Sequence, residues 1–251
     1  MFAQHTYIYL LYSFMKGVIF IETIVTIPPD IAVLFETKGI TLKIEKGTHI
    51  FQEGERADHV FLIKSGSIQV SKETENGKEL TIRICGKNCL IGESLMFCKF
   101  TSHSTTAKAL EVSEIYSLHN DQLEAFINEH STLMIDYLKW IQTENIKNQS
   151  RLRDLVLHGK KGALYSTLIR LANTYGDYNS LGEVTITIAL TNTEIANLCA
   201  TSREMINRMQ TDLRKKNIIS MEKGYITIHN VDYLKQQIDC ENCPLSICRI
   251  D

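Results

Sequence analysis

Residues 120–153 contain neither glycine nor proline, and this uninterrupted stretch constrains the fold more than any other feature. Its apolar residues, Leu123, Phe126, Ile127, Leu133, Met134, Tyr137, Leu138, Ile141 and Ile146, recur mostly in steps of three and four, the period of one helical face. A single helix over Asn120–Arg153 would be about 50 Å long at roughly 1.5 Å per residue. That overshoots a small domain, so part of the stripe must meet another surface. A second copy of the chain is the simple answer and predicts a homodimer; the alternative is a helix lying along its own domain.

The region before this stretch has the opposite character. Gly54, Gly66, Gly77 and Gly92 punctuate short β-rich runs at Thr48–Phe51, His59–Lys64, Ser67–Ser71 and Leu80–Cys85. The turn pairs Glu53-Gly54, Ser65-Gly66 and Asn76-Gly77 separate them, a pattern that suits a small antiparallel barrel or roll. Residues 1–30 read as a leader, disordered or carrying a misassigned start, with Met15 as an alternative first residue. Its apolar run Tyr7–Ile21 is broken by Ser13, Lys16 and Gly17 and is too short for a membrane span. The expected class is α+β: an N-terminal β-roll over 31–119, a dimerisation helix over 120–157, a winged helix-turn-helix over 158–238 and a cysteine-bearing tail over 239–251. The basic, glycine-flanked run His158-Gly159-Lys160-Lys161-Gly162 reads as the hinge between domains.

The helix-turn-helix is written in caps. Thr191 and Glu194 form a capping box that opens a helix to about Cys199. Ala200-Thr201 is a tight turn, and Ser202 caps a second helix, Arg203–Lys216. Ile206, Met209 and Leu213 mark its inner face, while Arg203, Glu204, Asn207 and Arg208 mark the outer face near the N-terminus, where a recognition helix meets base edges. Arg can donate twice to guanine and Glu can accept from cytosine N4. Residues 199–217 carry five Lys or Arg against two acids, on a chain of net charge -2. Lys215 and Lys216 read as phosphate contacts. Ile218–Ser220 and Tyr225–Ile228, joined through Glu222-Lys223-Gly224, read as a β-hairpin wing. The other reading is a plain helical hairpin with a solvated charged face.

On these residues, and over about 40–238, the chain resembles the CRP/FNR superfamily of transcription regulators. The resemblance implies binding to double-stranded, palindromic DNA as a homodimer, through Ser202, Arg203, Glu204, Asn207, Arg208, Lys215 and Lys216, with RNA polymerase as a further partner. Arg203, Glu204 and Arg208 resemble the pattern of members that read TGTGA-type half-sites; Asn207 sits at a position that varies in the superfamily. In the members that bind cyclic nucleotides, a Gly-Glu pair and a downstream Arg hold the ribose and the phosphate. Gly92-Glu93 is present, but no Arg occurs between Arg83 and Arg151, and Ser104-Thr105-Thr106-Ala107 stands where the Arg is expected. Lys99 or Lys108 offers no bidentate fork. No cAMP binding is expected, and Gly92-Glu93 reads as a turn with a structural carboxylate.

Three of the seven cysteines, Cys240, Cys243 and Cys248, crowd into the tail as C-x₂-C-x₄-C with Pro244 after the second. Clustered thiols in a reducing compartment point to metal or redox chemistry rather than a disulfide framework. Iron–sulfur clusters use such spacing. Zinc on three Cys with His or Asp, a dithiol switch and incidental cysteines are the alternatives. Cys85, Cys89 and Cys98 read as buried apolar packing. The residues alone single out no fourth ligand, and Cys199 or a histidine would serve. Asp154 by itself reads as a helix-end carboxylate paired with Arg151 or Lys160.

The tail, together with Asp232-Tyr233-Leu234 and the run Arg153–Tyr165, is similar to the Bacillus-type Fnr regulators. That resemblance implies a [4Fe–4S] cluster on Cys240, Cys243, Cys248 and Asp154. It further implies a cytoplasmic, oxygen-sensing activator of anaerobic and nitrate-respiration genes. Loss of the cluster is expected to untie the tail and let the domains swing on the hinge. A superfamily regulator sensing a small molecule in its roll, with zinc or a thiol switch at the tail, is the alternative. An enzyme is not expected: there is no nucleophile–base pairing, phosphate loop or H-E-x-x-H motif.

Overall fold

The structure is a computed structural model that describes residues 11–15, 18–22, 27–92 and 102–251, the first two segments as backbone only. Glu93, Cys98 and Lys99 lie outside the described residues, as does most of the leader. In chain order the elements begin with β1 (Leu11–Met15), β2 (Val18–Glu22), α1 (Pro29–Lys38), β3 (Ile40–Ile44), β4 (His49–Phe51), β5 (His59–Ser65), β6 (Ile68–Glu73), β7 (Glu79–Cys85), β8 (Leu90–Ile91), β9 (Thr106–Ala109) and β10 (Ser113–His119). They continue with α2 (Asn120–Glu129), α3 (Ser131–Leu157), α4 (Gly159–Tyr175), β11 (Gly176–Tyr178), β12 (Val184–Ile186), α5 (Asn192–Leu198), α6 (Arg203–Lys215), β13 (Ile219–Glu222), β14 (Tyr225–Ile228) and α7 (Val231–Gln236). Within the leader, β1 and β2 pair antiparallel, Leu11 opposite Glu22.

The chain forms two compact units. The first comprises residues 1–70, 85–145 and 244–246; the second comprises 71–84, 146–243 and 247–251. The roll is two four-stranded sheets, ordered β3-β10-β5-β8 and β4-β9-β6-β7. Strand β5 explains how its sequence builds two cores at once. Phe61 and Ile63 point into one cluster with Phe51, Ile68, Val70, Ile91 and Ile115. Val60 and Leu62, on the opposite face, join Ile31, Phe35, Leu123, Ile127, Leu133 and Tyr137 in a second cluster. Successive side chains on a strand face opposite ways, so a continuous apolar run serves a strand covered on both sides. At the Ser65-Gly66 turn a Cβ on Gly66 would come within 2.2 Å of the Ser113 hydroxyl, and its φ is +91°, so glycine is required there. Cys85 is buried in the first of these clusters, and Cys89 packs against it partly buried.

The expectation of one helix over Asn120–Arg153 is corrected. The chain breaks at His130, whose backbone is extended (φ -128°, ψ 90°), giving α2 and then α3. The His130 ring Nδ1 lies 2.8 Å from the Phe126 carbonyl oxygen, satisfying a group that a helix end leaves orphaned, and Ser131 starts the next helix. The 27 residues of α3 span about 40 Å. The apolar stripe therefore splits into two parts with different partners. Leu123, Ile127, Leu133 and Tyr137 are buried in their own unit's core, with Phe126 and Met134 packed against it. Leu138 (56% exposed), Ile141 and Ile146 are exposed, as are Ile135, Leu152 and Val156.

Most of the run expected as a hinge is helical. Gly159–Gly162 are helical, and His158 alone separates α3 from α4. In the second unit α4 packs against β12 and α7, and α5 against α6. The sheet runs β11-β12-β14-β13, and Lys223 and Gly224 both take positive φ (50° and 88°), the two-residue turn that matches strand twist. Residues 71–84 join this unit through Asn197 Nδ2, which donates to Glu79 at 2.6 Å, and Tyr175 OH, which donates to the Ile84 carbonyl at 2.9 Å.

Candidate functional site

Two constellations in the second unit carry chemistry. The first is the helix-turn-helix. The Thr191 hydroxyl accepts from the Glu194 amide at 3.2 Å, and Glu194 returns to the Thr191 amide at 2.6 Å, so the predicted capping box is formed. Ala200 takes φ +49° in the turn. Ser202 accepts from the Met205 amide and starts α6. Ile206, Met209 and Leu213 are buried, and Gln210 is buried beside them. Arg203, Glu204, Asn207, Arg208 and Lys215 are exposed on the other side. The Glu204 carboxyl lies below its ordinary value because the backbone amide and Ser202 at the helix start bond to it. Asn207 Oδ1 is 3.5 Å from Asn192 Nδ2. Lys216 is more engaged than expected: its ammonium donates to Tyr233 OH at 2.9 Å and lies 5.4 Å from that ring's centre. Lys215 and Lys216 are both exposed on the surface.

The second constellation is the tail. Asp154, Cys240, Cys243 and Cys248 all line one cavity of about 190 Å³, together with Arg153, Ser166 and Arg170. Among the described residues, no three His, Cys, Asp or Glu side chains close on one point as the ligands of a single ion would. The four donors are spread round a wall instead. A four-iron cluster takes one protein ligand per iron, so its ligands surround a cage rather than a point. The donor chemistry fits such a group: three soft sulfurs and one hard oxygen.

Asp154 is only 5% exposed and is not paired with Arg151 or Lys160. Its Oδ1 accepts from Arg153 Nε at 3.0 Å and from the same guanidinium's NH2 nitrogen at 2.8 Å. Its Oδ2 accepts from Ser166 at 2.5 Å and from Arg170 at 2.6 Å. Burial pushes this carboxyl up, but the hydrogen bonds from Ser166 and Arg170 outweigh it and hold the group below the ordinary carboxylate value. Arg153 also approaches the Cys243 sulfur at 3.9 Å and pairs with Glu241. Burial raises the Cys248 thiol, partly offset by the Arg170 charge. Cys199 is fully buried, its thiol pushed up to about 12 by desolvation and bonded to Thr167 at 3.5 Å, so it is no member of this site.

The last residues are fastened independently of the thiols. Asn173 Nδ2 donates to the Cys248 carbonyl at 2.8 Å, the Ile250 amide donates to Thr174 at 3.0 Å, and Ile84 donates to the Ile250 carbonyl. Arg170, Ser166 and Ser150 were not singled out in the sequence. The only signal is spacing: Ser150 and Asp154 lie four apart on α3, Ser166 and Arg170 four apart on α4, and the pairs matter only once those helices are known to face each other.

In the roll, Gly92 has φ +83° and its α-carbon environment is closed by the His59 carbonyl and the His103 ring. His103 is buried and stacked on Phe51 at 3.8 Å. Ala107, on β9, is fully buried, and Thr106 accepts from the Glu53 amide at 3.1 Å.

Comparison with known proteins gives this geometry its context. Residues 41–130 match the cyclic nucleotide-binding domain, and residues 162–237 match the Crp-like helix-turn-helix domain. The anaerobic regulatory protein of Bacillus subtilis (strain 168) is 46% identical over 226 residues, covering 90% of this chain and 94% of that protein. Among solved structures, FixK2 from Bradyrhizobium japonicum superposes with a TM-score of 0.68 at 15% identity, covering 79% of this chain and 96% of that one. The global regulator CLP of Xanthomonas campestris, described as c-di-GMP responsive, gives a TM-score of 0.70 at 14% identity, covering 81% and 100%. Those two likenesses show the fold. The extent and identity of the match to the Bacillus protein, on top of a capped helix-turn-helix with an exposed polar face, show more: this chain belongs to the CRP/FNR family, which are transcription regulators and not enzymes.

Proposed function

We propose that this regulator senses oxygen in the cytoplasm, binding TGTGA-type palindromic DNA as a homodimer while a [4Fe–4S] cluster is held by Cys240, Cys243, Cys248 and Asp154. The observation that carries the reading is the cavity that these three thiols and one carboxylate line together, although Asp154 is far from the cysteines in sequence. When bound, such a cluster supplies a group that oxygen attacks. The chain's own residues supply the rest. Tail carbonyls and α4 side chains hold the thiol-bearing segment against the end of α3, and Arg203, Glu204, Asn207 and Arg208 present donors and acceptors to base edges. Exposed Ile135, Leu138, Ile141, Ile146, Leu152 and Val156 on α3 favour a second copy, since an apolar face of that extent is a contact surface. The name of the Bacillus subtilis relative, an anaerobic regulatory protein, favours control of anaerobic genes; activation through RNA polymerase, with nitrate-respiration genes among the targets, completes the proposal.

The match of residues 41–130 to a cyclic nucleotide-binding domain favours a second reading. In it a small molecule other than cAMP fills the roll, and the tail holds zinc or acts as a thiol switch. Purification without air separates the two. A brown protein with about four irons per chain supports the cluster, and a colourless one with zinc supports the alternative. Equal affinity of the iron-loaded and metal-free protein for a TGTGA palindrome would discard the switch. Asp154→Ala should shorten retention of the iron.

A further inference from the structure

We infer that two guanidiniums divide the Asp154 carboxylate between a fixed oxygen and an exchangeable one: Arg170 is the positioning residue of the tail site, and Arg153 is a gate that must leave for Oδ1 to bind metal. The part concerning metal rests on the cluster reading above.

Arg170 has a side chain only 3% exposed, on α4. A buried guanidinium is costly unless its donors are filled. Here they are filled from three directions. Nε donates to Ser166 Oγ at 3.2 Å, and one terminal nitrogen donates to Ser150 Oγ at 2.8 Å and Asp154 Oδ2 at 2.6 Å. The other donates to the Ile247 carbonyl at 3.2 Å and lies 3.5 Å from that of Arg249. Those two carbonyls flank Cys248. One side chain therefore sets both the carboxylate and the backbone that carries the last tail thiol.

Arg153 is the counterpart on the other oxygen. Its side chain is 29% exposed, it holds Oδ1 alone, and it touches Cys243 and the exposed Glu241 as well. A cation already seated on Oδ1 and against Cys243 excludes a metal from both by charge and by space. Its long stem and its solvent-side partner Glu241 give it a way out; nothing comparable is open to Arg170.

The two arginines should therefore act in opposite directions. Arg170→Lys keeps the charge but loses the fork, and should shorten the lifetime of the loaded site in air roughly 10-fold or more, the scale of lost ligand support. Arg153→Ala should load faster from iron and sulfide without air, followed by visible absorbance, and this gain should vanish in an Asp154→Ala background. A second readout needs no metal. In the metal-free protein, amide hydrogen exchange at residues 247–251 should rise in Arg170→Lys and stay unchanged in Arg153→Ala. If Arg170→Lys fails to fold, Ser166→Ala, which removes one donor to Oδ2 and the acceptor of Arg170 Nε, should show the same exchange effect more weakly. Unchanged lifetime and exchange in Arg170→Lys, or slower loading in Arg153→Ala, would overturn the inference. If no variant ever takes up iron, the cluster reading fails and the gate with it, and the exchange result alone decides whether Arg170 positions the tail.

Discussion

The reading helix and the cysteine tail belong to the same unit and are built by opposite means. Helix α6 is held by neighbours within a few residues, Ser202 at its start and its own buried stripe, and its polar face is turned to solvent with few internal partners. The tail site is held by residues scattered over α3, α4 and the chain end, and its charges are consumed by one another. A surface that must meet many DNA sequences is kept free and locally specified. The tail network, proposed above as a ligand site, is buried and specified at long range.

The contrast breaks first under stability measurements. Asp154→Ala leaves the Arg170 charge buried without its anion, and should cost about 3–5 kcal/mol in urea unfolding of the metal-free protein; Arg203→Ala should leave the same curve in place. DNA binding should invert the ranking. Arg203→Ala should cost about 1–3 kcal/mol, concentrated at one base pair of the half-site, as read by titration against single-substituted palindromes. Ser202→Ala removes the cap from α6 and should lower stability by about 1 kcal/mol without altering which base pairs are preferred. The smallest effect belongs to Lys215→Ala, which should weaken all sequences alike and reduce the slope of log affinity against log salt by about 1.

The same contrast explains what could be read in the sequence. The capping box at Thr191, the turn at Ala200, the inner face of α6 and the wing turn each depend on residues close in the chain, and their patterns sufficed. The break at His130 turns on a ring nitrogen satisfying one carbonyl, and no periodicity announces it. The apolar stripe across it was continuous in sequence but serves an internal core in its first half and stands exposed in its second. Asp154 is legible in the sequence only through the family resemblance, because its partners Ser166 and Arg170 sit on another helix. Arg170 has no sequence signal of its own; only the packing of α4 against α3 and the chain end makes it the centre of a network.

The junction at His158 has a mechanical consequence. A Cβ on Gly162 would fall 2.0 Å from the His158 Cβ, so the first turn of α4 is wrapped tightly against the joint, and Gly159 adopts φ +59°, which other residues resist. His158 and Gly159 are the two residues that leave right-handed helical backbone, so the joint is short, with few soft dihedrals. Lengthening the joint by even two residues should loosen the coupling of α3 to α4 by adding soft dihedrals between them.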